Sequence, residues 1–379
     1  MKLPSGPREK NYSMNAKVVL SVALLCAVSC VKNEVSVTPL YNDNQIHFSP
    51  APVRAHGTKA DNSGKFSETN TFGSCAWYLP KGESWATYSK DGIGYINPVE
   101  ISYRTSYWKA WGNGTPEKPE KSYYWPETGS LTFYSWSPFG MLKGSNSDGH
   151  CPDSRKLLTV SKEKGIEIAN WPMENRAGYG SGADPCVDIL LAQTTDCTKA
   201  TSNGSVPVRF EHKLCQVEVL ATLAVPLKTG ESKWKVTKVT LDNIYTKGSF
   251  VTNNWTSRSE AKSYEYTPTG GVEVDYGAKS QVFPLTMMMP QYLTKDAKDA
   301  RVEKPKITIE CTNGNGESKI LSAYLHNDKI STSLSAWTHG KRITYQITLG
   351  EEDTFIEFGA SAGDWGHGAD GDINVGIQK

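Results

Sequence analysis

Residues Val206-Pro-Val-Arg-Phe-Glu-His-Lys-Leu-Cys-Gln-Val-Glu-Val-Leu-Ala-Thr-Leu223 carry the pattern that decides the fold. Even-numbered side chains are mainly apolar as far as Leu214, and odd-numbered side chains are mainly apolar from Cys215 onward. Because side chains of a strand alternate between its two faces, the apolar face changes between these two residues. One extra residue, as in a β-bulge, would absorb the change. The stretch is therefore predicted to be a long, bent strand where one domain is followed by the next.

The composition of the whole chain is typical of two domains built from short strands. Its 379 residues are too many for one ordinary core. Aromatic residues make up 10%, and 33 glycines and 20 prolines supply turns, while no stretch keeps a helical period. Lysine and arginine number 41 against 40 acidic residues, so nothing favours binding to nucleic acid, which needs clustered basic side chains. We expect an all-β protein without a nucleic-acid partner.

Polar and turn-rich segments divide the sequence into five parts. Residues 1–29 are predicted to be a signal peptide and residues 30–44 a lipidated tether. A β-sandwich is expected over residues 45–195, beginning with the strand Gln45-Ile-His-Phe48. Residues 196–205 lack apolar periodicity and are predicted to be a linker. A second β-sandwich with a Gly/Asp-rich tail is expected over residues 206–379.

The apolar run Val18–Val28 is too short to span a bilayer and has the form of a secretory signal. The polar residues Met1–Ser13 are unusual for the positively charged start of a signal peptide. Met14-Asn-Ala-Lys17 fits that role better, so translation is expected to begin at Met14. Ala27-Val-Ser-Cys30 resembles a bacterial lipobox, in which the cysteine receives lipid. The alternative is ordinary cleavage near Ser29, which would leave Cys30 as a plain thiol. We expect lipidation at Cys30, which would anchor the protein in a membrane.

Six of the 8 cysteines remain once Cys26 leaves with the signal and Cys30 is assigned to lipid. No two of them are spaced as in a zinc site, so zinc is not expected. Cys186 and Cys197 would close a short loop, but the sequence does not choose a pairing. Disulfides and free buried thiols both stay open.

No motif in the chain has the context that catalysis or cofactor binding requires. Gly178-Tyr-Gly-Ser-Gly-Ala183 resembles a dinucleotide fingerprint, but Asp184-Pro185 and a strand follow it instead of a helix. The histidines lack metal-site spacing, and His212 is expected to be a hydrogen-bonded core residue. Aspartates of the tail resemble calcium ligands only in composition, and a solvated tail is the expectation for Asp364, Asp370 and Asp372. We expect no enzyme activity, no metal and no cofactor.

An aromatic cluster lies between residues 107 and 136, and most of it is expected to be core. A second interpretation is a platform on which sugar rings stack, because exposed Trp and Tyr rings offer flat apolar faces. Trp108 and Trp111, beside Gly112-Asn-Gly-Thr115, are the candidate glycan contacts.

Several phrases, in order, resemble the Bacteroidales fimbrillin family, the type V pilins, and they cover nearly the whole mature chain. They are Thr58-Lys-Ala60, Tyr123-Tyr-Trp-Pro126, Gly129-Ser-Leu-Thr-Phe-Tyr134, Val187-Asp-Ile-Leu-Leu-Ala192, Phe210-Glu-His-Lys-Leu-Cys-Gln-Val217, Met289-Pro-Gln291, Trp337-Thr-His-Gly-Lys-Arg-Ile-Thr-Tyr345, and Ile356-Glu-Phe358 with Trp365. Lys213-Leu-Cys215 departs from the family, which more often has a small residue and serine there.

The resemblance implies two transthyretin-like β-sandwich domains in tandem and an outer-membrane lipoprotein precursor on the cell surface. It also implies assembly with other fimbrial subunits by strand exchange, after a protease cuts at Arg54 and removes the first strand. Removal of a strand leaves unpaired backbone groups, which favours a replacement from another subunit. The tail segment Ile373–Ile377 is either a donor strand or a disordered end.

Two functions follow from these observations. The first is a structural or tip subunit of a cell-surface fimbria that acts in adhesion, with a host or bacterial surface receptor or glycan as a further candidate partner. The second is a monomeric surface lipoprotein that binds glycans through exposed aromatic residues and never polymerises.

Overall fold

Strands make up nearly all regular structure in the part of the chain that a computed structural model describes. These residues are 44–50, 66, 68–88, 94–104, 106–111, 122–142, 157–173, 188–294, 301, 303–326, 334–350 and 356–364. The one helical segment in these ranges is a short 3-10 helix at Phe139–Leu142. The expectation of an all-β fold is therefore confirmed, whereas the transthyretin-like arrangement of two sandwiches stays a prediction.

Twenty-one strands follow one another along the described part of the chain. The first ten are β1 (His47–Pro50), β2 (Thr71–Leu79), β3 (Ile96–Arg104), β4 (Tyr107–Trp111), β5 (Ser130–Ser137), β6 (Leu158–Ser161), β7 (Gly165–Pro172), β8 (Leu190–Cys197), β9 (Ser205–Val208) and β10 (Glu211–His212). The next eleven are β11 (Cys215–Leu223), β12 (Trp234–Val251), β13 (Asn254–Tyr266), β14 (Val272–Glu273), β15 (Ser280–Met288), β16 (Gln291–Tyr292), β17 (Lys306–Asn313), β18 (Ser318–Tyr324), β19 (Ala336–Trp337), β20 (Lys341–Leu349) and β21 (Ile356–Asp364).

Three larger sheets contain most of these strands. The eight-stranded sheet has the order β10-β8-β5-β2-β3-β4-β1-β9, and we call it the large sheet. The four-stranded sheet has the order β15-β11-β20-β21. The seven-stranded sheet runs β18-β17-β12-β7-β6, with β13 and β14 also paired to β12. Strand β12 therefore joins β6 and β7, which precede residue 196, to strands that follow it.

Apolar residues form cores on both faces of the large sheet. On one face, side chains of β1 to β5, β8 and β9 form a core that the sheet curls around. On the other face, side chains of β2, β5 and β8 pack with residues of β6, β7, β12 and β13. A side chain at Gly73 would overlap the buried indole of Trp136 in this second core, so glycine allows the indole to cross β2. A third core lies between the four-stranded and the seven-stranded sheets.

The stretch from Val206 to Leu223 is divided among three strands instead of forming one bent strand. β9 and β10 belong to the large sheet, whereas β11 belongs to the four-stranded sheet. The apolar face changes at Leu214 and Cys215 because the chain passes from one sheet to the other there, so the two halves pack against different cores. The extent of the linker and the two domain boundaries stay predictions.

Several local features of the sequence agree with the strand order. Proline lacks an N–H and therefore favours an edge strand or a bulge, and the strand of Pro284, β15, lies at the end of the four-stranded sheet. The Asn313-Gly-Asn-Gly316 turn joins β17 to β18, with Gly316 at a φ of 81°. His212 is buried, and its Nδ1 lies 2.5 Å from Asp188 Oδ2.

The four cysteines in the described residues, Cys75, Cys197, Cys215 and Cys311, are free and buried. Burial raises the pKa of each thiol, to about 12 for Cys311. A raised pKa leaves little thiolate at neutral pH, so these side chains serve as small apolar core residues. Cys151 and Cys186 lie outside the described residues.

Candidate functional site around the first strand

The first strand, β1, is an inner strand of the large sheet although it lies close to the start of the described chain. It pairs with β4 in antiparallel orientation at Phe48 and Trp108. On its other side it pairs with β9 in parallel orientation, from His47 opposite Ser205 to Pro50 opposite Val208. The backbone of β1 thus connects two strands that belong to distant parts of the sequence.

Residues just before β1 extend this pairing to a second segment. Ile46 N donates to Tyr123 O at 2.7 Å, and Trp125 N donates to Asn44 O at 2.9 Å. The side-chain Nδ2 of Asn44 also donates to Trp125 O, at 3.0 Å. The backbone near residue 124 is held in turn by Tyr95, whose hydroxyl donates to Tyr124 O at 2.8 Å. Residues 123–125 therefore form a second wall of the site.

Besides the backbone pairing, side chains in and next to β1 are packed in the core. Ile46 is buried, and Phe48 is 3% exposed. The Phe48 ring meets Phe72 and Phe133 edge to face, with centroids 6.0 and 5.9 Å apart. Full burial of a side chain of this kind stabilises a fold by about 1.5–3 kcal/mol. The strand is therefore held by both apolar packing and backbone hydrogen bonds.

Strand β9 pairs with β1 through its backbone and is also held by β8 and by the core. Among the described residues, β1 is the one strand paired with β9. Thr194 Oγ1 of β8 donates to Pro207 O of β9 at 2.8 Å. Val206 and Val208 are buried in the same core as Phe48. Loss of β1 would leave a slot between β4 and β9, with the apolar wall of β9 still in place.

Phe66 packs into the same core but follows β1 in the chain. Its ring stacks on Phe210 with centroids 5.1 Å apart and also meets Phe72 and Trp108, at 5.7 and 5.4 Å. Because Phe66 lies beyond Arg54 in the sequence, a cut at Arg54 would leave this ring attached to the body of the protein. The slot would then keep part of its apolar lining.

The predicted site residues fall in three different situations. Cys30 and Arg54 lie outside the described residues. Trp108 is 8% exposed and packs against Phe66, Phe72 and Tyr103, so it offers little surface while β1 is in place. Trp111 ends β4, and only its backbone is described.

Sequence reasoning missed three parts of this site, namely the parallel pairing with β9, the wall at residues 123–125 and the ring of Phe66. Local alternation in Val206–Val208 predicts a strand but not its neighbour. The residues that the structure describes contain no cluster of three or more His, Cys, Asp or Glu side chains that could hold a metal ion. Asp364 ends β21, and Asp370 and Asp372 lie outside the described residues. Within the described ranges, no helix has the length and hydropathy that crossing a bilayer requires.

Comparison with known proteins identifies a family that matches this chain. The profile of a family described as fimbrillin-like matches residues 58–365. A fimbrial protein from Bacteroides vulgatus ATCC 8482 has a similar solved structure, with a TM-score of 0.58 and 15% identity, over 85% of this chain and 100% of that one. The tip fimbrial protein Mfa3 from Porphyromonas gingivalis gives a TM-score of 0.37 and 11% identity, over 78% of this chain and 94% of that one. A search of curated proteins found no match.

Proposed function

Because this chain belongs to the fimbrillin-like family, we propose that it is a structural or tip subunit of a cell-surface fimbria and assembles by strand exchange. A protease removes β1 from the precursor, and a strand of another subunit takes its place. The subunit acts in adhesion and carries no enzyme activity of its own. The family and the Bacteroides vulgatus protein are fimbrial, which supports a place on the cell surface.

The observation that carries this proposal is the position of β1 between β4 and β9. An inner strand that ends shortly before the predicted cut at Arg54 leaves two strand edges when it departs. Strand edges carry unpaired N–H and C=O groups that favour the addition of a new strand. The vacated positions of Ile46 and Phe48 would expose apolar surface. An incoming strand therefore gains backbone hydrogen bonds and apolar burial together.

The anchor and the cut complete the proposed precursor. Cys30 receives lipid and holds the precursor at the outer membrane before assembly. Arg54 is the basic residue at which a trypsin-like protease cuts. Cleavage there separates the lipidated segment and β1 from the body of the protein, so one cut both opens the slot and releases the anchor.

Trypsin treatment of a Cys30→Ala precursor tests this assembly. Limited digestion is expected to cut near Arg54 and to yield oligomers that appear as a ladder on a denaturing gel without heating. An Arg54→Ala, Lys59→Ala, Lys65→Ala triple variant removes every trypsin site between β1 and β2, so it should stay uncut there and remain monomeric. Lys228→Ala, which removes an exposed lysine between β11 and β12, is the matched control and should form the ladder normally.

The readouts are the mass of the new N-terminal fragment and the size distribution in solution. A cut protein that stays monomeric at high concentration would contradict strand exchange. If that monomer also bound neutral glycans, the runner-up function, a surface lipoprotein that binds sugars through aromatic residues, would replace the proposal.

Labelled palmitate tests the anchor separately. Cells that express the wild-type chain should incorporate label into the protein, and Cys30→Ala should abolish this incorporation. Cys311→Ala, which removes a buried thiol, is the control and should keep the label. Unchanged labelling of Cys30→Ala would show that lipid is attached elsewhere or that the cysteine is a plain thiol.

A further inference from the structure

Arg258 lies on β13, and its guanidinium is held against the segment that follows β15. Its Nε donates to Pro290 O at 2.7 Å. The guanidinium carbon also lies over the ring of Tyr292, 5.5 Å from the centroid. Tyr292 is 62% exposed, so an oriented cation and a flat aromatic surface stand side by side at the surface.

The backbone around Arg258 is irregular. Ser257 and Glu260 have positive φ angles of 48° and 56° although neither is glycine. The pairing of β13 with β12 also shifts register between Lys247 and Ser249. Irregularities of this kind redirect side chains out of the normal alternation of a strand, and they concentrate at functional sites. Here the irregular backbone accompanies the placement of Arg258 beside Tyr292.

A second arginine holds the same segment from within. Arg301 is 4% exposed, and its Nη2 donates to Tyr292 O at 3.0 Å and to Thr294 O at 3.1 Å. Its guanidinium lies 4.7 Å from the ring centroid of Tyr245. Arg301 therefore fixes the backbone of Tyr292 and adds positive charge close to Arg258.

The acidic residue nearest to Arg258 in sequence is engaged elsewhere. Glu260 pairs with Lys247 at 2.8 Å and with Lys262 at 3.8 Å. Within the described ranges, Arg258 pairs with no carboxylate, and Nε is its one guanidinium nitrogen with a hydrogen-bond acceptor. Burial lowers the pKa of Arg258, and the charge of Arg301 lowers it further. The guanidinium of Arg258 therefore keeps donors with which a bound anion could pair.

We propose that Arg258 and Tyr292 form a binding site for the carboxylate of an acidic sugar, with Arg301 holding the backbone of Tyr292. The two Nη groups of Arg258 present a planar fork, which matches the two oxygens of a carboxylate. The exposed ring of Tyr292 supplies a flat face for the sugar ring beside that carboxylate. This site lies on β13 and the β15–β16 segment, apart from β1 and its neighbours in the large sheet, and binding does not depend on strand exchange.

Titration of the uncut Cys30→Ala protein with sialyllactose tests the site, with lactose as the neutral probe. We expect saturable binding of sialyllactose that weakens in high salt, and no binding of lactose. Arg258→Gln should weaken binding by about tenfold or more, because a charged hydrogen-bonding partner is lost. Arg258→Lys should recover part of it, since lysine keeps the charge but loses the planar fork. Arg209→Gln, at an exposed arginine between β9 and β10, is the matched control and should bind normally.

A second acidic sugar and two other anions distinguish specific binding of acidic sugars from a nonspecific attraction of anions. A hyaluronan tetrasaccharide, which carries glucuronic acid, is expected to compete with sialyllactose. The proposal is overturned if neither acidic sugar binds, if lactose binds equally well, or if Arg258→Gln binds as the wild type does. Tighter binding of inorganic phosphate or of a polyglutamate peptide would also overturn it. Unchanged thermal unfolding of Arg258→Gln would establish that weaker binding is not a folding defect.

Discussion

Replacing Phe48 with alanine is expected to lower the free energy of unfolding of the uncut protein by about 3–5 kcal/mol. The assembled polymer of this variant should be as stable as that of the wild type. In the uncut protein, Phe48 is 3% exposed and packs against Phe72 and Phe133, so truncation removes buried apolar contacts and leaves a cavity. In the proposed assembly, Phe48 leaves with the cleaved segment. The substitution should therefore not change the stability of the polymer.

Urea unfolding of the uncut protein and heat dissociation of the polymer in detergent measure the two effects. Hydrogen exchange should also quicken at the backbone of β4 and β9 in uncut Phe48→Ala, because these strands lose a firmly held neighbour. Phe72→Ala is the matched control. Its ring belongs to the same core but lies on β2, which stays in the subunit, so both forms should be weakened. A polymer of Phe48→Ala that dissociates more easily than the wild type would contradict removal of β1.

Replacing Glu218 with alanine is expected to lower the free energy of unfolding by about 3–5 kcal/mol, because one member of a buried ion pair is lost. Glu218 Oε1 accepts from Arg342 Nε at 3.0 Å, from Arg342 Nη2 at 2.7 Å and from Thr344 Oγ1 at 2.8 Å. Gln281 Nε2 donates to its other oxygen at 2.9 Å. These bonds join β11, β15 and β20, so the loss affects three strands of the four-stranded sheet.

Thermal or urea unfolding of Glu218→Ala, Arg342→Ala and the double variant measures this effect. The double variant should lose less stability than the sum of the two single variants, since each single variant leaves one charge without its partner. Glu231→Ala is the control, because Glu231 is exposed and pairs with Lys228 at 4.0 Å, and it should change stability by less than about 1 kcal/mol. Additive losses in the double variant would show that Glu218 and Arg342 do not act as a pair.

Much of the secondary structure was predictable because it rests on interactions between nearby residues. Alternation in Arg342–Leu349 and Ile307–Thr312 predicts strands with one buried face, and β20 and β17 are found there. The Asn313-Gly-Asn-Gly316 turn predicts a hairpin because glycine accepts positive φ. The parity change at Leu214 likewise marks a real boundary, although it separates two sheets instead of bending one strand.

The site around β1 was predictable only in part. A strand at Gln45–Phe48 was predicted, and β1 is found at His47–Pro50, with Gln45 in a bridge to Tyr124. The identity of its neighbours was not predictable, because a short apolar strand pairs equally well with many others. Trp108 illustrates the same limit. Its sequence context allows an exposed platform or a core position, and packing against Phe66 and Phe72 places it in the core.

By itself, the sequence determined the β class of the chain, the strand faces directed toward a core and the family phrases, since each of these is a local property of the chain. Tertiary structure alone decided that His47 lies beside Ser205 and that Arg258 lies over Tyr292. Such pairs join residues far apart in the chain, and they form only where several strands bury their apolar faces together. Partner choice therefore depends on the packing of whole sheets, which local alternation does not encode.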